Sequence, residues 1–92
     1  DPAIDLAVCC SLVSSYEDAV IPHSVCFSAE VGLGGEVRPV SRIEARISEA
    51  AKLGFEKIYV SRNNLKGINI DHFNIAIRGV GKLEEVFAEL FG

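Results

Sequence analysis

Apolar residues recur at helical spacing near the start, the middle and the end of the chain, with alternating runs between. Leu6, Cys9, Cys10, Val13 and Tyr16 follow that spacing and predict a first helix from Asp1-Pro2 to about Tyr16. Asp1 reads as its N-cap, and Pro2 suits the first helical position because the N–H it lacks would have no partner there. Ala3, Ile4, Ala7, Val8 and Leu12 widen the apolar face until little polar surface remains, so this helix is expected to be covered on more than one side. Residues 25–31 read as a strand, Gly32-Leu33-Gly34-Gly35 as a turn and residues 36–40 as a second strand, together a hairpin with Pro39 at its exit.

Ser41 and Glu44 have the spacing of a capping box, and Ile43, Ile47, Ala50, Ala51 and Gly54 mark one face of the helix it opens. Gly54 closes that helix and Lys52 suits its C-terminal dipole. Residues 57–61 predict a short strand, 63–71 a polar loop, and 73–78 a strand with Phe73, Ile75 and Ile77 on one side. Leu83, Val86, Phe87 and Leu90 predict a last amphipathic helix. The order is α-β-β-α-β-β-α. It implies one α/β (α+β) domain over residues 1–92: a mixed sheet, because of the hairpin, with helices packed on it.

Composition narrows the function classes. The chain has 92 residues, of which 49% are hydrophobic and 24% charged, so it is globular rather than disordered or collagen-like. Its apolar runs are far shorter than the roughly 18–20 residues of a membrane span, and no leader pattern opens it. Three cysteines without C-x-x-C spacing suggest neither a disulfide framework nor a zinc site, and a reducing cytoplasm is the expected compartment. A chain with no Met that begins at Asp1 is expected to be a piece of a longer protein. Thirteen acids against nine bases give a charge of −4, which argues against nucleic-acid binding driven by bulk charge but leaves room for a local basic patch.

Few residues carry a chemical signal. Gly32, Gly34 and Gly35 lack dinucleotide-fingerprint spacing, and a strand follows them where that fold needs a helix. His23 and Cys26 lie three apart and His72 is distant in sequence, too few ligands for a metal site. Cys26, Ser11 or Ser14 could act as nucleophiles only with a base at hand. Arg42 and Arg46 share a helical face and Arg38 lies just before them. Three guanidiniums near one helix start could hold phosphates; alternatively they form a solvated face paired with Glu36 and Glu49. Arg62 and Lys66, beside Asn63 and Asn64, make a second basic patch.

The stretch Glu30-Val-Gly-Leu-Gly-Gly-Glu-Val-Arg-Pro-Val, with Arg46-Ile-Ser-Glu-Ala-Ala-Lys-Leu-Gly-Phe, resembles the C-terminal, Lon-protease-like domain of the bacterial DNA repair family RadA (Sms). The opening Asp1-Pro-Ala-Ile-Asp-Leu-Ala and the closing Ile77-Arg-Gly-Val and Leu83-Glu-Glu-Val look like the same family. The resemblance implies a fold similar to the Lon proteolytic domain, of the ribosomal protein S5 domain 2-like kind. Lon proteases cut peptides with a serine nucleophile, just after a Gly-Pro pair at the start of the first helix, and a lysine base. The matching positions here are Ala3 and Glu44, so both halves of that dyad are missing and no catalytic residue is assigned. What is implied instead is a non-proteolytic module that builds a homohexamer and contacts DNA, single-stranded or branched, with the RecA recombinase as a further candidate partner and no membrane. Arg38, Arg42 and Arg46, then Arg62 and Lys66, are the expected DNA contacts. No cofactor or metal is expected in this domain; ATP, Mg and Zn are implied for other parts of a parent that resembles a DNA-dependent ATPase acting in recombination by branch migration. A purely structural hexamer scaffold is the rival reading, and a residual peptidase a third.

Overall fold

A computed structural model describes residues 3–92. The elements run β1 (Ala3–Asp5), α1 (Leu6–Glu17), β2 (Val25–Ser28), β3 (Glu30–Gly32), β4 (Val37–Arg38), α2 (Ile43–Lys52), β5 (Lys57–Ser61), β6 (Ala76–Val80) and α3 (Leu83–Phe91). Two short 3-10 turns, Arg62–Leu65 and Ile70–His72, fill the connection from β5 to β6.

The expected mixture of parallel and antiparallel pairing is divided between two three-stranded ladders. β1-β3-β4 is antiparallel throughout and β2-β5-β6 is parallel throughout. A bridge between Glu36 and Lys82, and the bond from Val37 N to Gly81 O at 2.9 Å, join the ladders.

The parallel ladder is the middle layer. Because successive strand side chains point to opposite faces, β5 feeds two cores. Tyr59 packs with Leu6 and Cys10 of α1 and Val86 of α3, together with Val31 and Val37 of the antiparallel ladder. Ile58 and Val60 pack with Ile43, Ile47 and Ala50 of α2. Phe73, Ile75 and Ile77 join this second core, as their alternation predicted, although β6 itself begins only at Ala76. The helices therefore lie on both faces of the parallel ladder, α1 and α3 on one and α2 on the other.

Four local expectations are corrected. The Asp1-Pro2 cap lies outside the described residues; what they show is a helix that starts at Leu6, after a strand. Asp5 is its N-cap, with Oδ1 accepting from Ala7 N at 2.7 Å, and Asp18 ends it in the left-handed conformation at φ 55°. Ala3 through Asp5 instead pair with Gly32 through Glu30, an interaction no local pattern could announce.

Nor is α1 covered all round. Leu6 and Cys10 are buried, but Leu12 is 64% and Tyr16 88% exposed. The expected single strand over 25–31 is broken at Ala29 into β2 and β3, which belong to different ladders.

The capping box at Ser41 and Glu44 does not form. The N-cap of α2 is Arg42, left-handed at φ 58°, and no side chain caps it. The chain is led into α2 by Asn64, which holds Val40 by both backbone groups, and not by Ser41. A side-chain cap of this kind is found at α3, where Glu85 Oε1 accepts from Gly81 N and Lys82 N, each at 2.9 Å. Gly54 takes its expected role after α2, at φ +92° where a side chain would be strained.

Candidate functional site

The basic residues fall into three environments. Arg38, on β4, is held by its neighbour: Glu36 Oε2 accepts from Arg38 Nη2 at 2.7 Å and Nε at 3.2 Å. That bond is the chief reason the Glu36 carboxyl is held below the usual carboxylate range. Arg62 is similarly engaged, with Nη2 2.7 Å from Glu85 Oε2 on α3. Lys66 is exposed just beyond the first 3-10 turn.

Arg42 and Arg46 are brought together on one groove. It is a 470 Å³ cleft between α2 and β2, the outer strand of the parallel ladder, with Phe27, Leu53, Phe55 and Glu49 also on its walls. Arg46 Nε donates to Ser41 O at 2.8 Å, and its Nη1 lies 3.5 Å from Ser28 Oγ. Both arginines are exposed. Of the expected pairing with acids, the structure forms Arg38 with Glu36, while Arg46 turns to a carbonyl and a hydroxyl. Ser28, Leu53 and Phe55 carried no chemical signal in the sequence. They line the groove because β2 sits at the sheet edge under α2.

The positions matched to a protease dyad lie on different elements. Ala3 heads β1 opposite Gly32, three residues before α1 rather than in a helix start, and Glu44 is exposed in the first turn of α2. Among the other nucleophile candidates, Ser14 Oγ donates to Ala19 O, and burial raises the Cys26 thiol above its ordinary value. Cys10 is pushed up to about 12, mainly by burial and then by Cys9. A thiol so shifted is a poor source of thiolate at neutral pH. His23 is exposed in the loop before β2. Among the described residues no three His, Cys, Asp or Glu side chains gather closely enough to hold a metal, and no helix is long and apolar enough to cross a membrane.

Charge is unevenly distributed. The first twenty residues hold four acids, Asp1, Asp5, Glu17 and Asp18, and no base. Removing these four from the thirteen acids leaves nine, equal to the nine bases, so residues 21–92 are neutral in sum.

No family model matches the chain. A Streptococcus pneumoniae protein named DNA repair protein RadA is 50% identical over 91 residues, 99% of this chain and 21% of that protein. Proteins of the same name are 46% identical over 91 residues in Streptococcus pyogenes serotype M3, covering 20% of that protein, and 54% identical over 67 residues in Bacillus subtilis, covering 73% of this chain and 15% of that protein. The similarity supports a RadA-family origin. The chain spans about a fifth of the length of the first two of these curated RadA relatives.

Proposed function

We propose that the chain is a non-proteolytic assembly and DNA-contacting module of a RadA-type DNA repair protein. The similarity to proteins named DNA repair protein RadA along nearly the whole chain carries this reading. Its non-proteolytic part rests on residue chemistry: the methyl group of alanine at position 3 has no nucleophilic atom, and the Glu44 carboxylate cannot stand in for an ammonium group. The module needs no metal or cofactor of its own; ATP, Mg and Zn belong to other parts of the parent protein, and the RecA recombinase is a further candidate partner.

Arg42 and Arg46 are the DNA contacts best supported by their setting, because both are exposed on one cleft and neither is ion-paired among the described residues. Lys66 is a further exposed cation, apart from that cleft. Arg38 and Arg62 rank lower, since each already has a carboxylate partner that a phosphate must displace. The test is a fluorescence anisotropy titration of labelled single-stranded DNA at several salt concentrations, made on the full-length parent protein. Arg46→Gln should lower the slope of log affinity against log salt by about one unit for the lost phosphate contact. An unchanged slope for both Arg42→Gln and Arg46→Gln rejects the assignment.

The two ion pairs favour a second reading, a structural scaffold that assembles without touching DNA. Full DNA affinity after all five cations are neutralised, with assembly intact, would decide for it.

A further inference from the structure

β6 is an edge of the parallel ladder, the one opposite β2. Ala76 N donates to Glu56 O at 3.0 Å, which sets the alternation along the strand. Ala76, Arg78 and Val80 turn their backbone groups to β5, while Ile77 and Gly79 turn theirs outward. Among the described residues nothing bonds to the outward groups of Ile77 and Gly79, nor to the backbone of Ile75 just before the strand. An edge with open N–H and C=O groups is a template for a further strand, and this one has neither a bulge nor a proline to blunt it. The edge runs into a 510 Å³ cleft where α2 ends and β6 begins, which shares only Phe55 with the α2 groove. Glu56, Asn74 and Ile75 are on its walls, with Ala51 from the last turn of α2. Glu56 is exposed and without an ion pair, and it is the only charged residue on those walls, which do not include Lys52. The C-terminal end of the α2 dipole adds negative potential there.

We propose that β6 receives an extended segment of another protein as a fourth strand of the parallel ladder, with a lysine or arginine of that segment seated in the cleft against Glu56. The outward groups of Ile77 and Gly79 bond the main chain of the segment and carry most of the affinity, while the cleft reads one side chain. Charge selects a basic peptide over nucleic acid. A phosphate brought to this cleft meets a carboxylate and the negative end of a helix, whereas an ammonium or guanidinium group is attracted by both. On the α3 side of the edge the cations are engaged: Arg78 pairs with Glu89, and Lys57 lies over the Tyr59 ring, 5.7 Å from its centroid. The other side is backed by the first 3-10 turn, packed so closely that a Cβ at Gly79 would lie 3.3 Å from Arg62 Cα. The proposal goes beyond the reading above and depends neither on DNA contact nor on assembly.

The experiment is an amide NMR titration of the chain with the synthetic peptide Lys-Val-Thr-Val-Thr-Lys, blocked at both termini, so that a lysine reaches the cleft whichever way the strand runs. The amide signals of Ile77 and Gly79 should shift on binding, and their exchange with solvent should slow. Glu56→Gln, at an exposed position, should weaken binding about two- to fivefold, the worth of one exposed ion pair. The same peptide with glutamine at both ends should bind the wild-type chain as weakly as the lysine peptide binds that variant. Ile77→Pro removes one outward N–H and no ladder bond, and should abolish binding. If that variant does not fold, Glu56→Gln and the amide shifts still decide. No binding at millimolar peptide, or shifts that spare Ile77 and Gly79, overturns the proposal, and equal affinity for the lysine and glutamine peptides overturns it too. Shifts of these two amides that grow with protein concentration alone would give the edge to a second copy of the chain. The same shifts produced by single-stranded oligothymidine and not by peptide would give it to nucleic acid. Either result overturns the proposal.

Discussion

Asn64 holds Val40 at both backbone groups: Val40 N donates to Asn64 Oδ1 at 2.8 Å, and Asn64 Nδ2 donates to Val40 O at 2.9 Å. The residues are 24 apart in sequence. This clasp fixes the path from β4 into α2, and so the position from which Arg42 and Arg46 project. Ser61 adds a tie from the same side, its Oγ donating to Val37 O at 3.2 Å while accepting from Asn63 N. Asn64→Ala leaves both backbone groups of Val40 without their partner and should cost about 1–3 kcal/mol. For a domain of this size that lowers Tm by several degrees, at about 4–8 °C per kcal/mol. A melting curve that superimposes on wild type would show the clasp to be dispensable.

Arg42 combines a left-handed backbone with an exposed guanidinium, which lets folding be separated from binding. At φ 58° an asparagine is tolerated better than an arginine. Arg42→Asn should leave thermal stability unchanged or raise it by a few tenths of a kcal/mol, while the salt slope of DNA binding in the parent protein falls by about one unit. Loss of stability together with loss of binding would mean that Arg42 serves the fold instead.

Tyr59, Glu89 and Arg78 predict how stability depends on pH. Tyr59 OH donates to Glu89 Oε1 at 2.9 Å, and Glu89 also pairs with Arg78. Burial first, and then this bond, push the Tyr59 phenol up to about 12, against about 10 in an unfolded chain. Its contribution is complete below about pH 10 and disappears as pH rises toward 12. Glu89 behaves in the opposite sense. Its pairing with Arg78, and more weakly with Tyr59, holds its carboxyl below the ordinary value, so that stability is present above the usual carboxylate range and is lost on acidification. In a Tyr16→Phe variant the one remaining tyrosinate signal should appear about two units late, and should shift earlier when Glu89→Gln removes the neighbouring anion. Ionisation near pH 10 in the folded protein would contradict the buried, bonded hydroxyl.

Cys26 should be slow to react. Its thiol lies against the α2 core and is raised by burial, so little thiolate forms at neutral pH. Iodoacetamide should label it far more slowly in the native protein than in denaturant, and an active-site cysteine or serine probe should leave the chain unmodified. Rapid native labelling at Cys26 alone would revive the peptidase reading.

The sequence by itself determined which segments could be elements, because periodicity is local. Ile43, Ile47 and Ala50 face the core as their spacing requires, residues 57–61 form a strand with the predicted ends, and Leu83 opens the last helix. Where spacing carried no information, tertiary pairing decided. The segment Ala3–Asp5 became a strand because β3 offered it partners, and the run 25–31 broke at Ala29 because its halves pair in different ladders. The Ser41 cap gave way to Asn64, a long-range contact that no window of a few residues can contain. The arginines were legible as a cluster, but only the fold separated them, binding Arg38 and Arg62 to glutamates and setting Arg42 and Arg46 on an open groove. The exposed Leu12 and Tyr16 of α1 show the same limit from the other direction. Hydrophobic spacing says which residues share a side of a helix, whereas packing decides which side is left facing water.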